Sequence, residues 1–240
     1  MKQLKHLRSL GAALLAVSLS GCGGDLTLPG TSVAGLKVRV VGGADQTGQV
    51  GQQLADPVVV QVQTDDGSPI VSRKVAFVAS AGGAAGFTPD TAVTDSKGEA
   101  LTRWVLGTAP GTYTAEARVV AMGDTTVLAA PFQADAVAGD PDTLRAVGPT
   151  SQPGRRGQTL ADPLTVMVVD RFGNRVGGVD VTWNASKGDG EVSQETVVTD
   201  ADGLSSVIWT LGNSVGVQKV EAKVDKATGS PVSFTAVVLF

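Results

Sequence analysis

Side chains able to do nucleophilic, proton-transfer or metal chemistry are unevenly placed in this sequence of 240 residues. The one His, His6, and the one Cys, Cys22, both fall within the first 22 residues. Downstream there is neither imidazole nor thiol. That excludes histidine-based metal sites, disulfide frameworks and any triad or dyad needing Cys or His. What remains for catalysis is a Ser–Lys pair or a pair of carboxylates. Paired acids of the glycosidase kind must face each other across a cleft, about 5–9.5 Å apart. Nearly all acids here fall in turns or on outward strand positions, so no enzymatic activity, cofactor or metal is expected.

The residues that could still form a site each have a simpler structural use. Asp56-Pro57 and Asp162-Pro163 recur as a pair; Asp can cap a turn and Pro can start a strand where no ladder donor is needed. Asp95, Asp200 and Asp202 invite a calcium reading, since carboxylates in a turn can hold that ion. Lys97 stands where the second copy has Asp202, which favours a plain turn with Gly98 and Gly203 at φ > 0. Trp104, Trp183 and Trp209 could stack a sugar, but their strand parity puts them in the core. Arg155-Arg156, with Arg145 upstream, forms either a solvated loop or a salt contact between domains. Phe172 differs from all of these. It sits in the turn Asp170–Asn174, where it either folds back over a sheet or makes an exposed contact at a domain end. With Arg171 and Asn174 it is the candidate partner-contact site.

The amino terminus reads as an address. Lys2, Lys5 and Arg8 precede an apolar run, Leu10–Leu19, and small residues follow. This is the order of a secretory signal peptide, and the run is far short of the roughly 20 apolar residues a spanning helix needs. The exit Leu19-Ser20-Gly21-Cys22 resembles the lipobox of bacterial lipoproteins. That resemblance implies cleavage between Gly21 and Cys22, lipid on Cys22, and secretion across the cytoplasmic membrane to a lipid-anchored place in the envelope. Gly23 is not the Asp that retains such proteins at an inner membrane, so an outer membrane or cell surface is expected. Removing residues 1–21 would leave 16 basic and 23 acidic residues. An acidic surface without interleaved aromatic and basic residues suits phosphate backbones poorly, and no nucleic-acid partner is expected.

The remainder is one unit written twice. Residues 48–80 align with 154–186 at an offset of 106, and 93–119 with 198–224 at an offset of 105. Across these blocks 24 of 60 paired positions are identical, a period too long for solenoid repeats. Within each copy the apolar period is two. Val58, Val60 and Val62 match Leu164, Val166 and Val168, and Thr102, Trp104 and Leu106 match Val207, Trp209 and Leu211. Such alternation in short runs separated by Gly, Asp and Asn turns predicts strands with one buried face. About seven strands per copy point to an immunoglobulin-like sandwich. The fold expected is all-β: two tandem immunoglobulin-like β-sandwich domains, 35–137 and 140–240, after a signal peptide (1–21) and a lipidated tether (22–34). The short join at Ala138-Gly139-Asp140-Pro141 predicts a stiff pair.

The order Asp170, Gly173, Asn174, Val176, Gly178, Val179, Val181, then Thr199, Asp200 and Gly203, resembles bacterial immunoglobulin-like domains of group 1, the intimin/invasin type. The first copy supplies Gly67, Pro69, Val75, Thr94, Asp95, Gly98 and Gly111-Thr112-Tyr113-Thr114. It departs by having Asp66 and Ser68 where the second has Phe172 and Asn174, and the second departs with Gln218 in place of Tyr113. The membrane barrel and lectin-like tip of such adhesins have no counterpart in the sequence. The resemblance therefore implies a fold and a stalk or adhesion role, with a cell-surface protein or glycan as partner, but no particular receptor. The alternative is a specific ligand-binding module using the loop around Phe172.

Overall fold

The computed structural model describes residues 35–80, 86–119, 127–186 and 188–239. The expected signal peptide, its cleavage point at Gly21–Cys22, the lipidation site Cys22 and the tether lie outside the described residues. All regular structure in the described residues is β.

The first half begins with β1 (Leu36–Gly42), β2 (Gln46–Gln49), β3 (Val58–Thr64) and β4 (Lys74–Ala79). It continues with β5 (Gly86–Thr88), β6 (Thr91–Val93), β7 (Glu99–Val105), β8 (Gly111–Val119) and β9 (Leu128–Val137). One sheet has the order β1-β3-β7-β5 and the other β2-β9-β8-β4-β6. The second half repeats this with β10 (Thr143–Val147), β11 (Ser151–Arg155), β12 (Leu164–Val169), β13 (Asp180–Ala185) and β14 (Glu191–Val192). Then come β15 (Thr196–Val198), β16 (Leu204–Val207), β17 (Trp209–Thr210), β18 (Gly216–Lys223) and β19 (Val232–Leu239). Its larger sheet is β11-β19-β18-β13-β15, facing β10-β12-β16 and the pair β14-β17. The strand equivalent to β7 is split at Ile208, whose N–H is taken by the Ser193 hydroxyl at 3.1 Å.

In each half the leading chain changes sheets. β1 pairs antiparallel with β3, whereas β2 crosses over to run parallel to β9. β10 and β11 repeat the manoeuvre against β12 and β19. A glutamine ties the crossing strand to the Asp-Pro turn. Gln46 bonds the Asp56 carbonyl and amide at 3.0 and 2.9 Å, and Gln152 reaches the Asp162 carbonyl. The structural reading of both Asp-Pro pairs thus has a concrete partner.

Two separate cores follow from the alternation. The first holds Val58, Val60, Val62, Phe77, Trp104 and Phe132, the second Leu164, Val166, Val168, Trp183, Trp209 and Phe234. All three tryptophans are buried, as their parity predicts. Trp104 packs edge-on against Phe132 with centroids 5.3 Å apart, and Trp183 lies 5.8 Å from Phe234. Burial of such rings dominates core energetics. The indole N–H groups of Trp183 and Trp209 donate to the Ser205 hydroxyl and the Asp189 carbonyl, which removes the cost of a buried unpaired donor.

Candidate functional site

The turn singled out by its aromatic, Asp170–Asn174, leaves the end of β12. Asp170 is only 2% exposed. Its carboxylate Oδ1 accepts the backbone N–H of Phe172 and of Asn174, each at 2.9 Å. The other oxygen accepts the Asn174 side-chain amide and the N–H of Gly139, again at 2.9 Å. Burial pushes this carboxyl up, but the Asn174 amide and the N–H groups of Gly139, Asn174 and Phe172 outweigh it and hold its pKa below the ordinary value.

The turn meets the first half of the chain. The Asn174 side-chain N–H also donates to the Thr108 carbonyl at 2.8 Å. Phe172 lies over Gly51, where an added Cβ would stand 2.7 Å from the ring. Gly51 has φ +68, so the loop takes the left-handed conformation that lets its bare Cα face the ring. The Arg171 guanidinium covers the same ring at 4.6 Å, within cation–π range. On the linker, Gln49 donates to the Asp140 carboxylate at 3.0 Å. A cavity of about 150 Å³ lined by Gln49, Gln52, Asp140, Asp142 and Arg171 remains beside these contacts. Of the two alternatives for Phe172, the structure has the ring at an end contact, 40% exposed, and the surface it touches belongs to the same chain.

Residues 158–237 match the model of the family described as bacterial Ig-like domain, group 1. The match covers the Ig-like segment that carries Phe172. Among solved structures, the chain is similar to FdeC, described as a broadly conserved Escherichia coli adhesin. The identity is 18%, with 86% of this chain and 65% of that one covered and a TM-score of 0.52. At that identity the likeness shows a shared fold. The D0–D1 domain of intimin is matched at 20% identity over 83% of this chain and 94% of that chain, with a TM-score of 0.32. Invasin, described as a bacterial integrin-binding protein, is matched at 23% identity over 85% and 39%, with a TM-score of 0.36. No curated protein matches the chain.

The other candidates serve the Ig-like frame. Asp95 accepts the N–H groups of Lys97 and Glu99, and Asp200 those of Asp202 and Leu204, all at 2.8–2.9 Å. Gly98 and Gly203 have φ +74 and +69, as the turn reading requires. The Glu99 and Lys97 amides hold the Asp95 carboxyl below its ordinary pKa. Asp202 turns outward to pair with Arg175 at 2.8 Å. Arg155 and Arg156 are exposed beside Gly157, at the opposite end of the second half from the Phe172 turn. The cation at the junction is Arg171.

Sequence reasoning placed Asp170 in a motif but missed its role, and it missed Gly51 and Thr108 altogether. The available signal was the asymmetry between copies: Asp170, Phe172 and Asn174 stand where the first copy has Thr64, Asp66 and Ser68.

Proposed function

We propose that this chain is a lipid-anchored cell-envelope protein whose tandem immunoglobulin-like domains, 35–137 and 140–240, act as a non-catalytic stalk, adhesion or protein-interaction element. The observation that carries the reading is the junction. The loop richest in binding groups is bonded to the preceding half, so its chemistry goes into holding two sandwiches at a defined contact. Carboxylates at the turns are engaged by backbone N–H groups, which suits a scaffold. The adhesin description of FdeC supports a surface role, and the Leu19-Ser20-Gly21-Cys22 exit supports the lipid anchor. A tether of a dozen residues can extend roughly 40 Å, enough to lift the domains off a bilayer. The membrane is engaged through the lipid, and a cell-surface protein or glycan is the partner.

Cys22→Ser tests the anchor. The variant should leave the membrane fraction, and its retention there would refute anchoring. A second reading, a glycan site on Phe172, draws on the part of its ring that stays exposed. Loss of glycan-array binding in Phe172→Ala would establish it.

A further inference from the structure

The outward face of the β1-β3-β7-β5 sheet in the first half is complementary to itself. Strand pairing sets its side chains in rows. Arg39, Gln61 and Glu99 form one row across β1, β3 and β7. In the next, Val41 and Gly42 together oppose Val59 at a bulge, and Val59 pairs with Leu101. These residues point away from the core: Leu101 is 56% and Val41 41% exposed, while Val58, Val60 and Ala100, which alternate with them, are buried. The charged row carries a cation on one side of β3 and an anion on the other. The Arg39 guanidinium donates to Gln61 Oε1 at 2.7 and 3.2 Å, a neutral acceptor. Among the described residues the ion pairs involve neither Arg39 nor Glu99. Lys37, the next outward residue of β1, is already paired with Asp65 at 3.4 Å.

The second half lacks this pattern. Its equivalent rows are Arg145, Met167 and Leu204, then Val147, Thr165 and Ser206. Apolar side chains are present there too, but no carboxylate answers the arginine. The Thr165 and Ser206 hydroxyls satisfy each other at 2.8 Å. Turned onto itself, that face would set Arg145 against Leu204. Only the first half joins an apolar row to a row whose two charges match when reversed.

We infer that the β1-β3-β7 face of the first half docks on the same face of a second copy of this chain, about a two-fold axis running along β3. Such an isologous contact lays β1 of one copy over β7 of the other. Arg39 then meets Glu99 of the second copy, Val41 meets Leu101, and Val59 meets its own counterpart on the axis. Facing sheets pack about 10 Å apart, a gap that the apolar row fills and the long charged side chains bridge. Strand and residue spacings give the face roughly 300 Å² per copy, well under the ~800 Å² per partner of a stable interface. The pair is therefore weak in dilute solution and gains from holding both copies at one surface. An axis along β3 brings both copies into β1 from the same end, as two chains tethered to one bilayer require. An axis across the strands would instead set Glu99 against Arg103, with the copies antiparallel. The choice between the two axes rests on the lipid-anchor reading, whereas the face and its test in solution do not.

The test is thiol cross-linking of the full chain in a Cys22→Ser background, at rising protein concentration, with a short bismaleimide. Val59→Cys, on the axis, should give a covalent dimer. Thr165→Cys, at the same place in the second half, should not. Arg39→Glu or Glu99→Arg alone should lower the dimer yield at least about tenfold, since like charges then face each other. The two together should restore it. All four positions point outward from strands, and unchanged thermal unfolding of each variant verifies that the fold is kept. A monomeric Val59→Cys chain, equal cross-linking at Thr165→Cys, or a yield indifferent to the charge reversals would overturn the inference and leave the face to the tether 22–34 or a different protein. Rescue of Glu99→Arg by Arg103→Glu in place of Arg39→Glu would establish the antiparallel pair and overturn the axis along β3.

Discussion

The Asp170 carboxylate accepts the Gly139 amide at 2.9 Å, so the linker is held by the turn that follows it more than thirty residues later. The same carboxylate orients Asn174, which reaches the Thr108 carbonyl of the first half. One buried charge therefore organises the linker, the turn and the contact across the junction.

Asp170→Asn should destabilise the second half by about 2–3 kcal/mol at neutral pH, because hydrogen bonds to a buried charge are each worth about 1.5–3 kcal/mol. The pH dependence has a definite sign. The folded pKa lies below the ordinary value of about 3.9. The stabilisation is thus complete above that value and is lost as pH falls through the folded pKa. Urea unfolding of the wild type should show this acid loss and the variant should lack it. Equal pH profiles for the two would count against the role given to Asp170.

Gly51→Val should loosen the junction, since its Cβ would enter the Phe172 ring and its backbone is left-handed. Hydrogen exchange should accelerate at Gly139 and Asn174 while Val60 and Val166 stay protected. Gly157→Val carries the same backbone strain, about 1–3 kcal/mol, without a ring above it. Its exchange at Gly139 should match wild type, which separates strain from the loss of the contact.

Trp209 is fully buried and its N–H is bonded to the Asp189 carbonyl at 2.8 Å. Trp209→Ala should cost about 3–5 kcal/mol, as truncating a buried aromatic does. Calorimetry should show the loss in the second half, and a change near zero would contradict the assignment of Trp209 to the core.

Tyr113 and Gln218 occupy one place in the repeat and meet it with different chemistry. The Tyr113 hydroxyl donates to the Ala109 carbonyl, four residues upstream, at 2.8 Å. Gln218 spans the same interval to the Ser214 carbonyl at 2.6 Å and also bonds the N–H and carbonyl of Gly212. Tyr113→Phe should cost about 1 kcal/mol and Gln218→Leu about 2–3 kcal/mol, since the latter removes three hydrogen bonds made by a buried side chain rather than one. Chemical denaturation of the two variants gives the comparison, and equal costs would show that the Gln218 bonds are incidental.

Period-two alternation was enough to assign Val58, Val166, Trp104, Trp183 and Trp209 to cores, because a sheet with one wet face writes its orientation into every second residue. The turn glycines Gly98 and Gly203 were legible for a similar local reason. Thr94 and Thr199 appeared as motif letters. Their use, donating to the Ile70 and Val176 carbonyls while accepting the Arg73 and Val179 amides, required the fold. The junction was the least legible part. Phe172 and Gly51 are 121 positions apart, and whether they meet depends on how two sandwiches abut, which no local period encodes. The departure of Phe172 from the repeat marked the spot without naming its neighbour.

The strand exchange at the start of each half has a mechanical consequence. Once β1 has given way against β3, a pull toward the amino terminus acts on the start of β2, and a pull transmitted onward acts on the end of β9, its parallel neighbour. The rungs between Gln46–Gln49 and Ala134–Val137 are loaded side by side in shear, so they must yield together. The rungs joining Ser151–Arg155 to Thr235–Leu239 repeat the arrangement. Strands joined this way resist traction along their length far better than peeling from one edge.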